Sequence, residues 1–158
     1  MLPKSILVPT DLSPGAEEAL DYACELATKL GAKIHLLNVI GIPALGVPEL
    51  GVAVTASVID SLIQDNQNAL DRLKESKKCS AEFGEVLLRT GDARDVINQT
   101  AKELGVDLIV MGTHGRPGLA HFLMGSVAER VVRTAPCPVL TLRHSERVVA
   151  GGAPVAIT

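Results

Sequence analysis

The sequence predicts an α/β fold: a three-layer α/β/α sandwich around a five-stranded, mainly parallel sheet. Three observations carry this expectation. Short apolar runs alternate with segments of helical periodicity along most of the chain. The runs Ile6-Leu7-Val8 and Leu108-Ile109-Val110-Met111 are apolar at consecutive positions, as strands buried on both faces are. The 158 residues are 47% hydrophobic, enough to bury one core without disulfides or a structural metal.

The first strand is expected over residues 4–9, an apolar run that ends in turn chemistry. Ser13-Pro14 then offers an N-cap and a proline at the first helical position, with Glu17 and Glu18 in the first turns. Ala16, Ala19, Leu20, Ala23, Cys24, Ala27 and Leu30 recur at helical spacing until Gly31 stops them. Residues 34–39 form the second strand. A second helix is carried by Ile59, Leu62, Ile63, Leu70 and Leu73. Strand three covers 83–89, and a helix capped by Asp92 runs to Leu104. Residues 106–111 make strand four, 126–134 the last helix and 138–143 the last strand. No repeat or linker interrupts this order. A single domain is expected over residues 1–143, followed by a flexible Gly/Ala/Val-rich tail over 144–158.

Composition excludes several functions. Aromatic residues are 2% of the chain, with one Tyr, two Phe and no Trp. Base-stacking sheets and barrels need more rings than that, as do sugar clefts lined with Trp or Tyr. Fifteen Lys+Arg against 18 Asp+Glu leave a net charge of −3 and no basic stripe, so no nucleic-acid partner is expected. The dense patch Lys74-Glu75-Ser76-Lys77-Lys78 reads as the solvated end of a helix. Glu17, Glu18 and Glu25 read most simply as a solvated helix face. Cys24, Cys79 and Cys137 are odd in number and far apart in sequence, so they suggest neither a disulfide framework nor a metal pair. Residues 39–59 carry one charge, Glu49, but the prolines and glycines among them make a poor membrane span. Without signal-peptide architecture at the N-terminus, a cytoplasmic setting is expected.

In folds of this class the ligand sits beyond the carboxyl ends of the strands, where the winding reverses. Strand orders of the 2-1-3 type and 3-2-1-4-5 both put that crevice beside strand one. The loops leaving strands one and four are therefore the ones to read. The loop after strand four runs from Gly112 to Ser126. Gly112, Gly115 and Gly125 let backbone N–H groups approach a ligand, Gly125-Ser126 opens a helix, and Arg116 adds a positive charge. A phosphate site is one reading. The other is a turn closed by a capping box between Ser126 and Glu129, which needs no ligand. In the same way, Asp11 is either a ligand acceptor or the cap of the turn into the first helix. The loop is neither a Walker A motif nor a Gly-x-Gly-x-x-Gly motif.

The spacing Gly112-x2-Gly115-x9-Gly125-Ser126 resembles the nucleotide-binding signature of the universal stress protein A superfamily. Chance places such a pattern in a chain of this length less than about one time in a hundred. The opening Ile6-Leu7-Val8-Pro9-Thr10-Asp11-Leu12-Ser13 and the closing Ala135-Pro136-Cys137-Pro138-Val139-Leu140 are similar to that family too. The likeness covers residues 3–143 and is loose through 41–58. It implies a Rossmann-like sheet of order 3-2-1-4-5 and an ATP site of the family's nucleotide-binding branch. Pro9, Thr10 and Asp11 would border the adenosine, and Val39 would meet the adenine edge. Met111 and Gly112 would flank the nucleoside. His114, Gly115 and Arg116 would lie along the phosphates, received by Gly125, Ser126 and Val127. The resemblance also implies a homodimer through antiparallel pairing of the last strand, at Val139, Leu140, Thr141 and Leu142.

ATP carries several negative charges against one nearby arginine, so Mg2+ or Mn2+ is expected with it. No paired acids, phosphate-binding lysine or Gly-x-Ser-x-Gly motif accompany the loop, so no catalytic residue is assigned and hydrolysis is expected to be slow at most. The expected function is an ATP-binding sensor in stress response. The alternative is a nucleotide-free dimeric interaction module. Loop 41–54 is long for a connection of this class and reads either as a flap over the nucleotide or as a surface for protein partners.

Overall fold

The structure, a computed structural model, describes residues 1–41, 56–113 and 124–144. Its elements follow the predicted order: β1 (Ser5–Thr10), α1 (Pro14–Leu30), β2 (Lys33–Ile40), α2 (Ala56–Ser76), β3 (Phe83–Thr90), α3 (Ala93–Leu104), β4 (Leu108–Gly112), α4 (Ser126–Thr134) and β5 (Val139–Leu142). The strands form one sheet of order β3-β2-β1-β4-β5, with every neighbouring pair parallel. Loop 41–54 lies outside the described residues apart from Gly41. The proposed tail does too, apart from His144.

Local chemistry accounts for most boundaries. Ser13 caps α1 by accepting the Ala16 N–H at 3.3 Å, Pro14 follows it, and Gly31 ends the helix at φ +64°. Asp92 caps α3 by accepting from the Arg94 N–H at 2.9 Å, and Gly105 closes it at φ +60°. Strand β4 starts two residues later than its apolar run suggests. Val106 is spent on the helix terminus, where its N–H donates to the Ala101 carbonyl. Asp107 instead anchors β1, its Oδ2 accepting from the N–H groups of Lys4 and Ser5 at 2.9 and 3.1 Å.

Alternate residues of each central strand enter opposite cores. On one side Ile6, Val8, Ile34, Leu36, Leu108 and Val110 pack against Ala19, Leu20, Ala23 and Ala27 of α1 and Leu70 of α2. On the other, Leu7, Leu37, Ile109 and Met111 pack against Ile97 and Ala101 of α3 and Ala128 and Val131 of α4. Burial of each large aliphatic chain stabilises the fold by roughly 1.5–3 kcal/mol. Helix α2 contributes least. Leu70 is its one buried residue, and Val58 and Ile63 are exposed despite the apolar stripe that predicts the helix.

The basic patch at 74–78 is exposed at the end of α2 at Glu75, Ser76 and Lys78, but Lys77 departs from that reading. The Lys77 side chain is only 9% exposed and its Nζ donates to Glu17 Oε1 and Asp21 Oδ1, each at 2.8 Å. The chain leaving α2 folds back over α1, and the acidic face of α1 receives it. Glu17 is therefore paired, while its neighbour Lys74 lies over the Phe83 ring.

One irregularity tunes the sheet edge. Between Ile34↔Phe83 and Leu36↔Val86 the register shifts, so Gly84 and Glu85 together oppose His35. The His35 Nδ1 accepts the Glu85 N–H at 2.9 Å. Gly84 makes room for the ring, because a Cβ there would sit 2.6 Å from His35 Cε1. Burial disfavours the imidazolium and holds the His35 pKa below its ordinary value. Neutral His35 therefore contributes stability above the unfolded-state value of about 6.5, and that contribution is lost as pH falls below it towards the folded pKa. Urea unfolding at pH 7.5 and 5.5 checks this: the native chain is expected to lose more stability across the interval than His35→Leu. Equal losses would remove the assignment.

Candidate functional site

The winding reverses between β1 and β4, since α1 and α2 cover one face and α3 and α4 the other. The carboxyl ends of β2, β1 and β4 are adjacent there. They bring Val39, Thr10–Asp11 and Met111–Gly112 to one rim.

The turn after β1 is built from short polar side chains. Thr10 Oγ1 accepts from the Leu12 N–H and Asp11 Oδ1 from the Ser13 N–H, both at 3.0 Å. Asp11 thus does form the turn into α1. It stays exposed, and its Oδ2 makes no hydrogen bond with the described residues. Leu12 sits at φ +64°, a left-handed conformation that costs a non-glycine residue of order 1 kcal/mol. Its side chain packs against the α1-side core, which holds it there. Pro9 is buried within β1, opposite Leu37, and lacks an N–H.

Gly112 ends β4 against the start of α1. A Cβ on it would lie 3.1 Å from the Gly15 carbonyl oxygen, so a larger residue would push the two loops apart. Beyond it, the Thr113 N–H donates to the Leu142 carbonyl, and the Thr113 carbonyl accepts from the Gly125 N–H at 2.8 Å. That bond ties the start of α4 to the end of β4. His114, Gly115 and Arg116 fall between, outside the described residues.

The helix cap differs from the capping-box reading. Gly125, not Ser126, is the N-cap of α4, and among the described residues no side-chain oxygen caps its first turn. With the cap at Gly125, Glu129 stands four residues on rather than three, and it pairs with Arg133 at 3.0 Å. No described residue accepts from the N–H groups of Ser126 and Val127, which lie at the positive end of the helix dipole. Ser126 is exposed and Val127 half-buried, with its side chain against the α4-side core.

Asn38 is a site residue that sequence reading passes over. It is 4% exposed, and its Nδ2 donates to the Thr10 carbonyl at 2.8 Å. Its Oδ1 is buried without a partner among the described residues. A lone amide in the apolar run Ile34–Ile40 was the available signal. Val39 beside it is half-buried and Met111 is buried. Phe83 lies at the opposite end of the sheet, at the start of β3, so no described ring reaches this rim.

Among the described residues no group of three or more His, Cys, Asp or Glu could hold a metal ion. No described helix is long and apolar enough to cross a membrane. A separate open cleft lies between α2, the end of β3 and α3, lined by Ile63, Leu88, Arg89, Thr90, Val96 and Gln99, away from the reversal point.

Comparison with known proteins gives the same answer at every level. The chain is 35% identical over 149 residues to universal stress protein MJ0531 of Methanocaldococcus jannaschii, which spans 91% of this chain and 84% of that protein. The structure of MJ0577, from the same organism, superposes with a TM-score of 0.78 at 29% identity, covering 92% of this chain and 99% of that one. A universal stress protein in complex with cAMP, 24% identical, shares the fold at a TM-score of 0.61, covering 90% of this chain and 98% of its own. The universal stress protein family matches residues 3–143, and with that extent and these relatives the chain belongs to it.

Proposed function

We propose that the protein is a homodimeric ATP-binding sensor, with Mg2+ or Mn2+ accompanying the nucleotide. The observation that carries this reading is the first turn of α4. It has no side-chain cap, and it is bonded through Gly125 to the end of β4 at the point where the winding reverses. Phosphates fit there because backbone N–H groups and the helix dipole both favour an anion. The rim fits an adenosine: Thr10 and Asp11 offer polar edges, Val39 and Met111 aliphatic surface, and Asn38 a buried amide oxygen. With Phe83 at the far end of β3, the purine would lie between Val39 and Met111 and be recognised by backbone hydrogen bonds. His114, Gly115 and Arg116 belong to this proposal through the glycine spacing alone. A universal stress protein of the same fold was solved in complex with cAMP, which supports looking for an adenine nucleotide here.

The alternative of a nucleotide-free interaction module rests on β5. That strand pairs with β4 on one edge, and Val139, Leu140, Thr141 and Leu142 are all half-buried, a surface suited to antiparallel pairing with a second copy. Dimerisation and nucleotide binding are compatible, so the proposal includes both. A role for loop 41–54 in covering the nucleotide or in holding protein partners is part of the same proposal.

The ultraviolet spectrum of the purified protein tests it first: with one Tyr and no Trp, bound adenine would dominate it. Ser126→Asp puts a negative charge at the start of α4, which favours the helix and opposes phosphate. It is expected to weaken ATP binding about tenfold or more and leave adenosine binding unchanged. Unchanged ATP affinity would count against the phosphate site. Secondly, single-turnover assays should show slow γ-phosphate loss. Fast loss abolished by Asp11→Ala or His114→Ala would make the protein an enzyme instead. Thirdly, sedimentation should give a mass of two chains, reduced to one by Val139→Asp. A native mass of one chain contradicts the dimer.

A further inference from the structure

The three cysteines are far apart in sequence, but the fold brings two of them together. Cys24 is on the buried face of α1, 7% exposed, and Cys79 follows α2 and packs half-buried against the same core. Cys79 packs against the core cluster that contains Cys24 and stands near enough to raise the Cys24 thiol pKa. The contact belongs to a two-point docking. Glu17, Asp21 and Cys24 stand at i, i+4 and i+7 along one face of α1, and Lys77 and Cys79 are two residues apart in the segment crossing it. Lys77 reaches both carboxylates at 2.8 Å, which holds Cys79 over Cys24.

We propose that Cys24 and Cys79 are a modification site at which a peroxide forms a reversible intramolecular disulfide, fastening the end of α2 to α1. A disulfide needs the two sulfurs about 2.05 Å apart, and both side chains already pack in the same core. Cys79, the more accessible, is where the oxidant reacts. Its thiolate sulfur attacks one peroxide oxygen, the O–O bond breaks, and the departing hydroxide takes a proton to become water. Cys79 is left as a sulfenic acid. The Cys24 sulfur then attacks the Cys79 sulfur, the S–S bond forms as the S–O bond breaks, and the leaving hydroxide takes the Cys24 proton. The balance is two thiols and one peroxide to one disulfide and two waters. A dithiol reverses it by exchange.

Burial pushes the Cys24 thiol up to about 12, and nearby Cys79 adds to that, so Cys24 carries its proton at neutral pH. It therefore acts as the resolving group. Cys137 packs on the opposite face of the sheet, in the α3/α4 core, and is out of reach.

The test uses the whole chain with Cys137→Ser, reduced and then exposed to hydrogen peroxide. The expected product weighs two hydrogens less, moves as a single chain without reductant, yields a peptide joining Cys24 to Cys79, and regains two titratable thiols with dithiothreitol. Cys79→Ser, at the half-exposed position, is expected to form no such link. In Cys24→Ser, Cys79 should gain oxygen instead. Two free thiols after peroxide, gain of oxygen without the link in the Cys137→Ser chain, or a link between chains would each overturn the proposal.

Discussion

Strand β1 lies between two parallel neighbours and two helical layers, so its backbone must be hydrogen-bonded on both edges and its side chains must suit both cores. Ile6, Leu7 and Val8 meet this condition with no exposed surface, and the strand is paired from Ser5 to Thr10 with β2 and at Ile6 and Leu7 with β4. The entry is set by Asp107, which holds the first two N–H groups across about a hundred residues of sequence. The exit is set by Thr10 and Asp11, which turn the chain into α1. Because β1 is central, its carboxyl end is where the chain winding reverses, and the candidate site follows from that.

Close approach is the second requirement at that end. Helix α1 presents Gly15, Ala16, Ala19, Ala23 and Ala27 to the sheet, small residues that let its axis lie near the strands. Gly112 meets Gly15 at the rim, where a single Cβ would fill the gap. The loops after β1 and β4 therefore converge, and α4 enters with its first turn open toward the same rim. Polar groups here are arranged more sparsely than in the ordinary turns of the fold. Ser13 and Asp92 cap their helices with side chains, whereas Gly125 brings no side-chain cap to α4. The scarcity of aromatic residues changes what such a site can do, since aliphatic groups and backbone must supply recognition.

Electrostatics and thiol chemistry act on the outer layer. The acids of α1 read alone as a solvated face, yet two of them hold Lys77 and through it the segment that carries Cys79. Helix α2 otherwise rests lightly on the sheet, with Leu70 alone fully buried. That Lys77 anchor and the Cys24–Cys79 contact fix its far end where apolar packing is thin.

Local features were legible because they are written in adjacent residues. Ser13-Pro14 to Gly31 and Asp92 to Gly105 read as helices from caps and period, and Ile6-Leu7-Val8 as a strand buried on both faces. The glycine spacing from Gly112 to Ser126 pointed to the rim where β1 and β4 end. What the sequence left open were pairings between distant segments: Asn38 beneath Thr10, His35 in the bulge at Gly84–Glu85, Lys77 on α1, Cys24 beside Cys79, and Gly125 rather than Ser126 as the cap of α4. Periodicity and capping are decided within a few residues by backbone geometry. Register, convergence of loops and the partner of a buried polar group are decided only when the sheet closes and each segment meets the surface it must fit. The sequence by itself determined the α/β/α alternation and where its loops lie; the tertiary structure decided which side chains stand together, because that depends on strand order and the packing distance between layers.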